Sequence, residues 1–191
     1  MTLDRLKATL CATVVALGAP AAHAGDAKHV LSPLVESAAQ RLAIGDEVAL
    51  SKWDSGASVE DVAREEAVIA NAVAQGQRAN LAAADVTRFF KAQIEANKLV
   101  QYTLLATWRR AGYAPPHAPI DLKGTIRPEL DRLQTKMITE LAEAAPILES
   151  SECAKEVARA VGRYGFEHQF DPANLPVIAL DRAMAGFCRQ Y

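Results

Sequence analysis

Aromatic residues make up only 6% of this 191-residue chain, cysteines number three, and no strand-like alternation of any length occurs. Scarce aromatics, with plentiful Ala, Leu, Glu, Gln and Arg, shift the balance from sheet to helix. The 10 glycines and 9 prolines exclude a collagen-like or low-complexity chain, and so few cysteines exclude a disulfide scaffold. There is no basic block either: 21 Lys and Arg stand against 23 Asp and Glu, a formal net charge of −2. That balance argues against a nucleic-acid partner, whose footprint would be positive. No apolar run reaches the roughly 20 residues of a membrane span, and His29, His117 and His168 show no metal-ligand spacing. Neither a metal nor a cofactor is expected. What remains is a 50% hydrophobic composition at a length suited to one domain with a real core.

The first residues read as an export leader rather than as part of the fold. Arg5 and Lys7 precede a mostly apolar run from Ala8 to Gly18, and Ala22-His23-Ala24 offers small residues where a signal peptidase reads. The expectation is a signal peptide over 1–24, cleaved after Ala24, and a periplasmic or secreted domain over 25–191. Cleavage removes Asp4, Arg5, Lys7 and Cys11, and the formal net charge becomes −3. Cys153 and Cys188 remain, and two cysteines in an oxidising compartment are most simply a disulfide. A reactive pair is the sharper alternative, though no C-x-x-C is present.

Apolar residues recur at helical spacing through most of the remaining chain, which predicts one all-α domain, a bundle of about six helices around one long central helix. The first is expected from Ser32 to Trp53, ending before the turn signal Asp54-Ser55-Gly56. Ser58-Val59-Glu60-Asp61 reads as an N-cap with acids in the first turn, opening a helix that runs to Gln77. Asp85 opens the long third helix, Val86 to Arg110. Pro115, Pro116 and Pro119 make an irregular connection to a fourth helix, Thr125 to Ala145, which Pro146 should stop. Shorter helices follow over Ser151–Tyr164 and Asn174–Arg189.

Polar groups appear on faces that ought to be apolar. At 100° per residue, Arg41 and Lys52 share the line of Leu34 and Val48, about three turns apart. They either snorkel from the edge of that face or point inward toward anionic partners. On the third helix Gln93, Asn97 and Gln101 sit within the stripe of Val86, Phe90, Ile94, Leu104, Leu105 and Trp108. Arg88, Lys91, Glu95, Lys98 and Leu99 take the opposite side. Buried amides must be hydrogen-bonded, so they form either a structural network or the wall of a polar cavity suited to an anion. The second helix adds nothing alone. Its apolar side is Val59, Val62, Ile69 and Val73, which leaves Asp61, Arg64 and Glu65 as a solvated charged face. Arg127, at a helix N-terminus, lies where anions are favoured.

The run Arg41-Leu42, Lys52-Trp53, Arg64-Glu65 and Asn97-x-x-x-Gln101-Tyr102 resembles the all-helical chorismate mutases. The leader, the extra C-terminal helices, the two cysteines and the arginine heading the fourth helix resemble their secreted (periplasmic-type, gamma) subclass. The resemblance implies an isomerase of aromatic amino acid biosynthesis that converts chorismate to prephenate by an intramolecular Claisen rearrangement. It implies Arg41, Arg64 and Arg127 on the two carboxylates, Lys52 and Gln101 as donors to the ether oxygen, and Glu65, or failing that Asp61, as acceptor from the ring hydroxyl. Asn97 would line the pocket near a carboxylate. It also implies a Cys153–Cys188 bridge and a homodimer in which each site lies within one chain. Three positions depart from the commoner pattern: Asn97 in place of Ser or Thr, Val68 in place of a polar residue, and Gln101 where some relatives carry Glu. The rival reading is an exported, non-enzymatic helical protein that binds a small dicarboxylate.

Overall fold

A computed structural model describes residues 24–189, and for Ala24, Gly25, Asp26 and Lys28 the backbone alone. The leader expected over 1–24 lies outside the described residues except for Ala24. Six α-helices carry the fold: α1 (Ala24–Ser55), α2 (Val62–Arg78), α3 (Ala83–Ala111), α4 (Arg127–Glu143), α5 (Cys153–Glu167) and α6 (Leu175–Met184). Among the described residues there is no strand, and no helix is long and apolar enough to cross a membrane.

The central element is α3, whose 29 residues span about 43 Å. It packs against α1, α2 and α6, while α4 closes over α1 and α2, and α5 seals against α1 and α6. Phe89 and Phe90 of α3 meet Leu31, Leu34 and Val35 of α1, Met137 and Leu141 of α4, and Leu180 and Met184 of α6 in one continuous core. Gly112 ends α3 at φ +83°, returning its amide to the Trp108 carbonyl at 2.8 Å. That left-handed position is one a side chain would strain.

Helix ends differ from the sequence reading in ways the contacts explain. α1 begins eight residues before Ser32 and passes Pro33, which supplies no amide hydrogen. Ser58 does not cap α2. Asp61 does, accepting from the Arg64 amide at 3.1 Å, so the cap falls three residues later and the helix opens at Val62. Asp85 does not open α3 but lies buried in its first turn, paired with Arg88 at 2.8 Å and with Arg189. Ahead of α4 a π-helical turn, Leu122–Ile126, is capped by Asp121, which accepts from the Lys123 and Gly124 amides at 3.1 and 2.8 Å. α4 ends at Glu143, and Pro146 sits in a 3-10 turn. α6 is shorter than predicted, because after Met184 the chain turns so that Cys188 can bridge to Cys153.

The apolar side predicted for α2 is wrong in part. Val62 is 63% exposed, and the buried residues of the helix are Ala72 and Gly76. A β-carbon on Gly76 would come within 2.6 Å of Val86 Cγ2. Small residues thus bring α2 close to α3, and the same stripe carries Arg64, Glu65 and Val68 inward.

Candidate active site

Where α1, α2, α3 and α4 converge they leave a cavity of about 150 Å³. The eight residues singled out in the sequence, Arg41, Lys52, Asp61, Arg64, Glu65, Asn97, Gln101 and Arg127, all line it. A second, more apolar cavity of about 440 Å³ opens elsewhere, against Leu42, Leu104 and Tyr164, and contains none of them.

Arg41 is only 6% exposed, which excludes the snorkelling alternative. Its Nε has no hydrogen-bond partner in the protein. Burial, and then the charge of Arg64, lower its pKa to about 10, with Asp131 acting in the opposite sense. The guanidinium is therefore still cationic at neutral pH. Lys52 is half-buried and donates to the carbonyls of Ser58 and Val59, the latter at 3.0 Å, which pins the α1–α2 connection over the cavity. Burial lowers its pKa; Asp61 and Glu65 oppose that shift and Arg127 adds to it. An ammonium has three donors, so one remains for a ligand.

Arg64 contradicts the solvated-face reading of α2. It lines the cavity and donates from Nη2 to Asp131 Oδ1 of α4 at 3.2 Å. Glu65 also faces inward, with Oε1 3.4 Å from the Asp61 amide. Arg127 reaches the cavity from the first position of α4.

The three amides of α3 divide by role. Gln93 is fully buried and donates to the Ala183 carbonyl at 3.0 Å, tying α3 to α6 away from the cavity. Asn97 donates to the Arg41 carbonyl at 3.1 Å and accepts from Gln101 Nε2 at 2.7 Å. The second hydrogen of Gln101 Nε2 is left for the cavity, while its Oε1 is buried without a partner. Asn97 thus contacts neighbouring protein groups and aims Gln101.

Two polar lining residues escaped the sequence reading. Lys98 was assigned to the solvent side of α3, yet it lines the cavity beside Glu65. On the helical wheel it falls about 20° beyond Leu105, the rim of the inward face, and its long stem covers the difference. Gln134, two turns after Arg127 on α4, also lines the cavity and donates to Asn71 of α2 at 2.9 Å. Its spacing of seven from Arg127 was the available signal.

The arrangement offers five cations, Arg41, Lys52, Arg64, Lys98 and Arg127, with a fixed amide pair and two carboxylates around one space. Nothing in it pairs a nucleophile with a base. It can hold an anion in a set conformation and stabilise negative charge where that develops.

Residues 32–102 match the model of the family described as chorismate mutase type II. The secreted chorismate mutase of Mycolicibacterium smegmatis is 35% identical over 184 residues, which are 96% of this chain and 99% of that protein. The secreted chorismate mutase of Mycobacterium tuberculosis is 30% identical over 79% of this chain and 75% of its own. The crystal structure of a chorismate mutase from Burkholderia phymatum superposes with a TM-score of 0.81 at 44% identity, covering 87% of this chain and all of that one. By family match, by identity along nearly its whole length and by its helical frame, the chain belongs to the type II chorismate mutases.

Proposed function

We propose that this cavity is where the chain rearranges chorismate to prephenate, the isomerase activity of its family, and that it works by electrostatic fit alone. The carrying observation is the convergence of Arg41, Lys52, Arg64 and Arg127 on a space that the Asn97–Gln101 amide pair also lines. Chorismate is a dianion. Its rearrangement breaks an ether C–O bond and forms a C–C bond within one molecule, with no proton transferred. Such a reaction needs the compact conformer and a donor for the oxygen as its charge grows. Arg41, Arg64 and Arg127 grip the carboxylates, since a guanidinium matches a carboxylate with two parallel bonds. Lys52 and Gln101 donate to the ether oxygen. Glu65 accepts from the ring hydroxyl, and Asp61, committed to capping α2, is the lesser candidate.

The relatives named as secreted support an exported enzyme. Cleavage after Ala24 would give a mature chain starting at Gly25, which N-terminal sequencing of exported protein would read. If the chain dimerises, as its resemblance implies, each site would still be complete in one chain.

The direct test follows the loss of chorismate absorbance with protein starting at Gly25. Lys52→Ala should lower kcat/KM by roughly 100- to 1,000-fold, corresponding to about 2.7–4 kcal/mol for one preorganised donor to the developing charge. Unchanged turnover in that variant would refute the mechanism.

A further inference from the structure

We infer that Lys98 is a positioning residue for substrate recognition: its ammonium fixes the Glu65 carboxylate on the cavity wall, so that Glu65 meets the ring hydroxyl instead of collapsing onto the cations opposite. The inference rests on the reading of Glu65 as the hydroxyl acceptor.

Lys98 is 14% exposed and reaches the cavity from α3, between Asn97 and Gln101. Its Nζ lies 2.9 Å from Glu95 Oε1, 3.5 Å from Glu65 Oε2 and 3.7 Å from Glu60 Oε1. Glu95, one turn earlier on α3, anchors the ammonium to its own helix. Glu60 reaches it from the segment that enters α2, and Glu65 from the first turns of α2 itself. Three carboxylates around one ammonium leave it no surplus positive charge, so Lys98 is not a further grip on the dianion. Its effect falls on the carboxylate beside it.

Glu65 is held from two directions. Oε1 faces the Asp61 amide at 3.4 Å and Oε2 faces Lys98 at 3.5 Å. A carboxylate offers about four lone-pair sites, so these contacts leave room for a hydroxyl donor. The alternative partners are close in kind: Glu65 already acts electrostatically on Lys52, and Arg64 is its neighbour in sequence. Without Lys98, a flexible glutamate in a cavity lined by Arg41, Lys52, Arg64 and Arg127 would turn toward one of those cations. That would remove the acceptor and neutralise part of the grip together.

The test is a double-mutant cycle on the full mature enzyme, measuring kcat and KM for chorismate in Lys98→Met, Glu65→Gln and the double variant. Thermal melts check that each is folded, and Lys98→Arg serves as the conservative variant. Lys98→Met should raise KM on the order of tenfold with a smaller change in kcat, as expected for a contact made equally before and during the rearrangement. Lys98→Arg should recover most of that loss. In the Glu65→Gln background, Lys98→Met should change kcat/KM by less than about twofold. An equal loss in both backgrounds, or no loss from Lys98→Met while Glu65→Gln is impaired, overturns the positioning role and leaves the Glu65 reading intact. Full activity in Glu65→Gln overturns the Glu65 reading and the inference with it.

Discussion

In the proposed mechanism one residue, Gln101, sets the pH range. Its amide donates at any ordinary pH, whereas a glutamic acid in its place would have to be protonated to do so. At the alkaline end the sign comes from Lys52, which acts only while protonated and whose pKa burial has lowered. The alkaline limb should therefore fall below the ordinary lysine range, and kcat/KM should change little between about pH 5 and 8. Gln101→Glu should convert that plateau into a steep fall as pH rises through about 5 to 7. A fall of that kind in the unaltered enzyme would refute the Gln101 assignment. The residues behind this argument were legible in the sequence because they broke a pattern: Arg41, Lys52, Asn97 and Gln101 each sit on a face that period and hydrophobicity reserve for the core. Arg64 and Glu65 broke no pattern and entered only through resemblance. The face they share is built from Ala72 and Gly76, too small to register as apolar. Lys98 missed the inward face by a fraction of a turn, and wheel geometry has no term for stem length.

At the level of the element, α2 lies against α3 through small residues. It carries Arg64 and Glu65 into the cavity and is held close to α3 where Gly76 meets Val86. Gly76→Ala should destabilise the protein by about 1–3 kcal/mol, the usual cost of overpacking, because the stiff, branched Val86 cannot swing aside. Pairing it with Val86→Ala, which makes the space, should recover part of the loss in chemical denaturation. Strictly additive losses would mean that α2 is not set by this contact. Helix number and order were readable because long amphipathic runs separated by Gly and Pro leave few alternatives. The ends were not, since they were decided by distant partners. Asp85 is a plausible first-turn acid in sequence, but its partner Arg189 lies 104 positions away.

At the scale of the molecule, the chain divides its labour. Every residue lining the candidate site falls between 41 and 134, while the Cys153–Cys188 bridge closes the segment that follows. That segment places Arg189 on Asp85 and returns its amide to the Leu148 carbonyl at 3.1 Å. Replacing both cysteines with serine should cost roughly 4 kcal/mol by the loop-entropy model and lower the melting temperature. Activity per folded molecule should stay close to that of the parent. A comparable loss of kcat/KM at a temperature where the variant is fully folded would show that the C-terminal helices shape the site directly. The bridge was foreseeable from two cysteines in a chain whose sequence reads as exported; its structural reach was not, because it passes through charges of ordinary appearance.

The Nε of Arg41, buried with no acceptor, bears on selectivity. A neutral molecule with the outline of the substrate could fill the space, yet it would leave that donor and the neighbouring guanidinium desolvated and unanswered. Sites built to meet a charged or hydrogen-bonding group reject analogues that lack it far more strongly than apolar pockets reject a misfit in size. A donor that the protein's own groups do not answer should therefore make the cavity favour an anion strongly over a neutral molecule of the same outline.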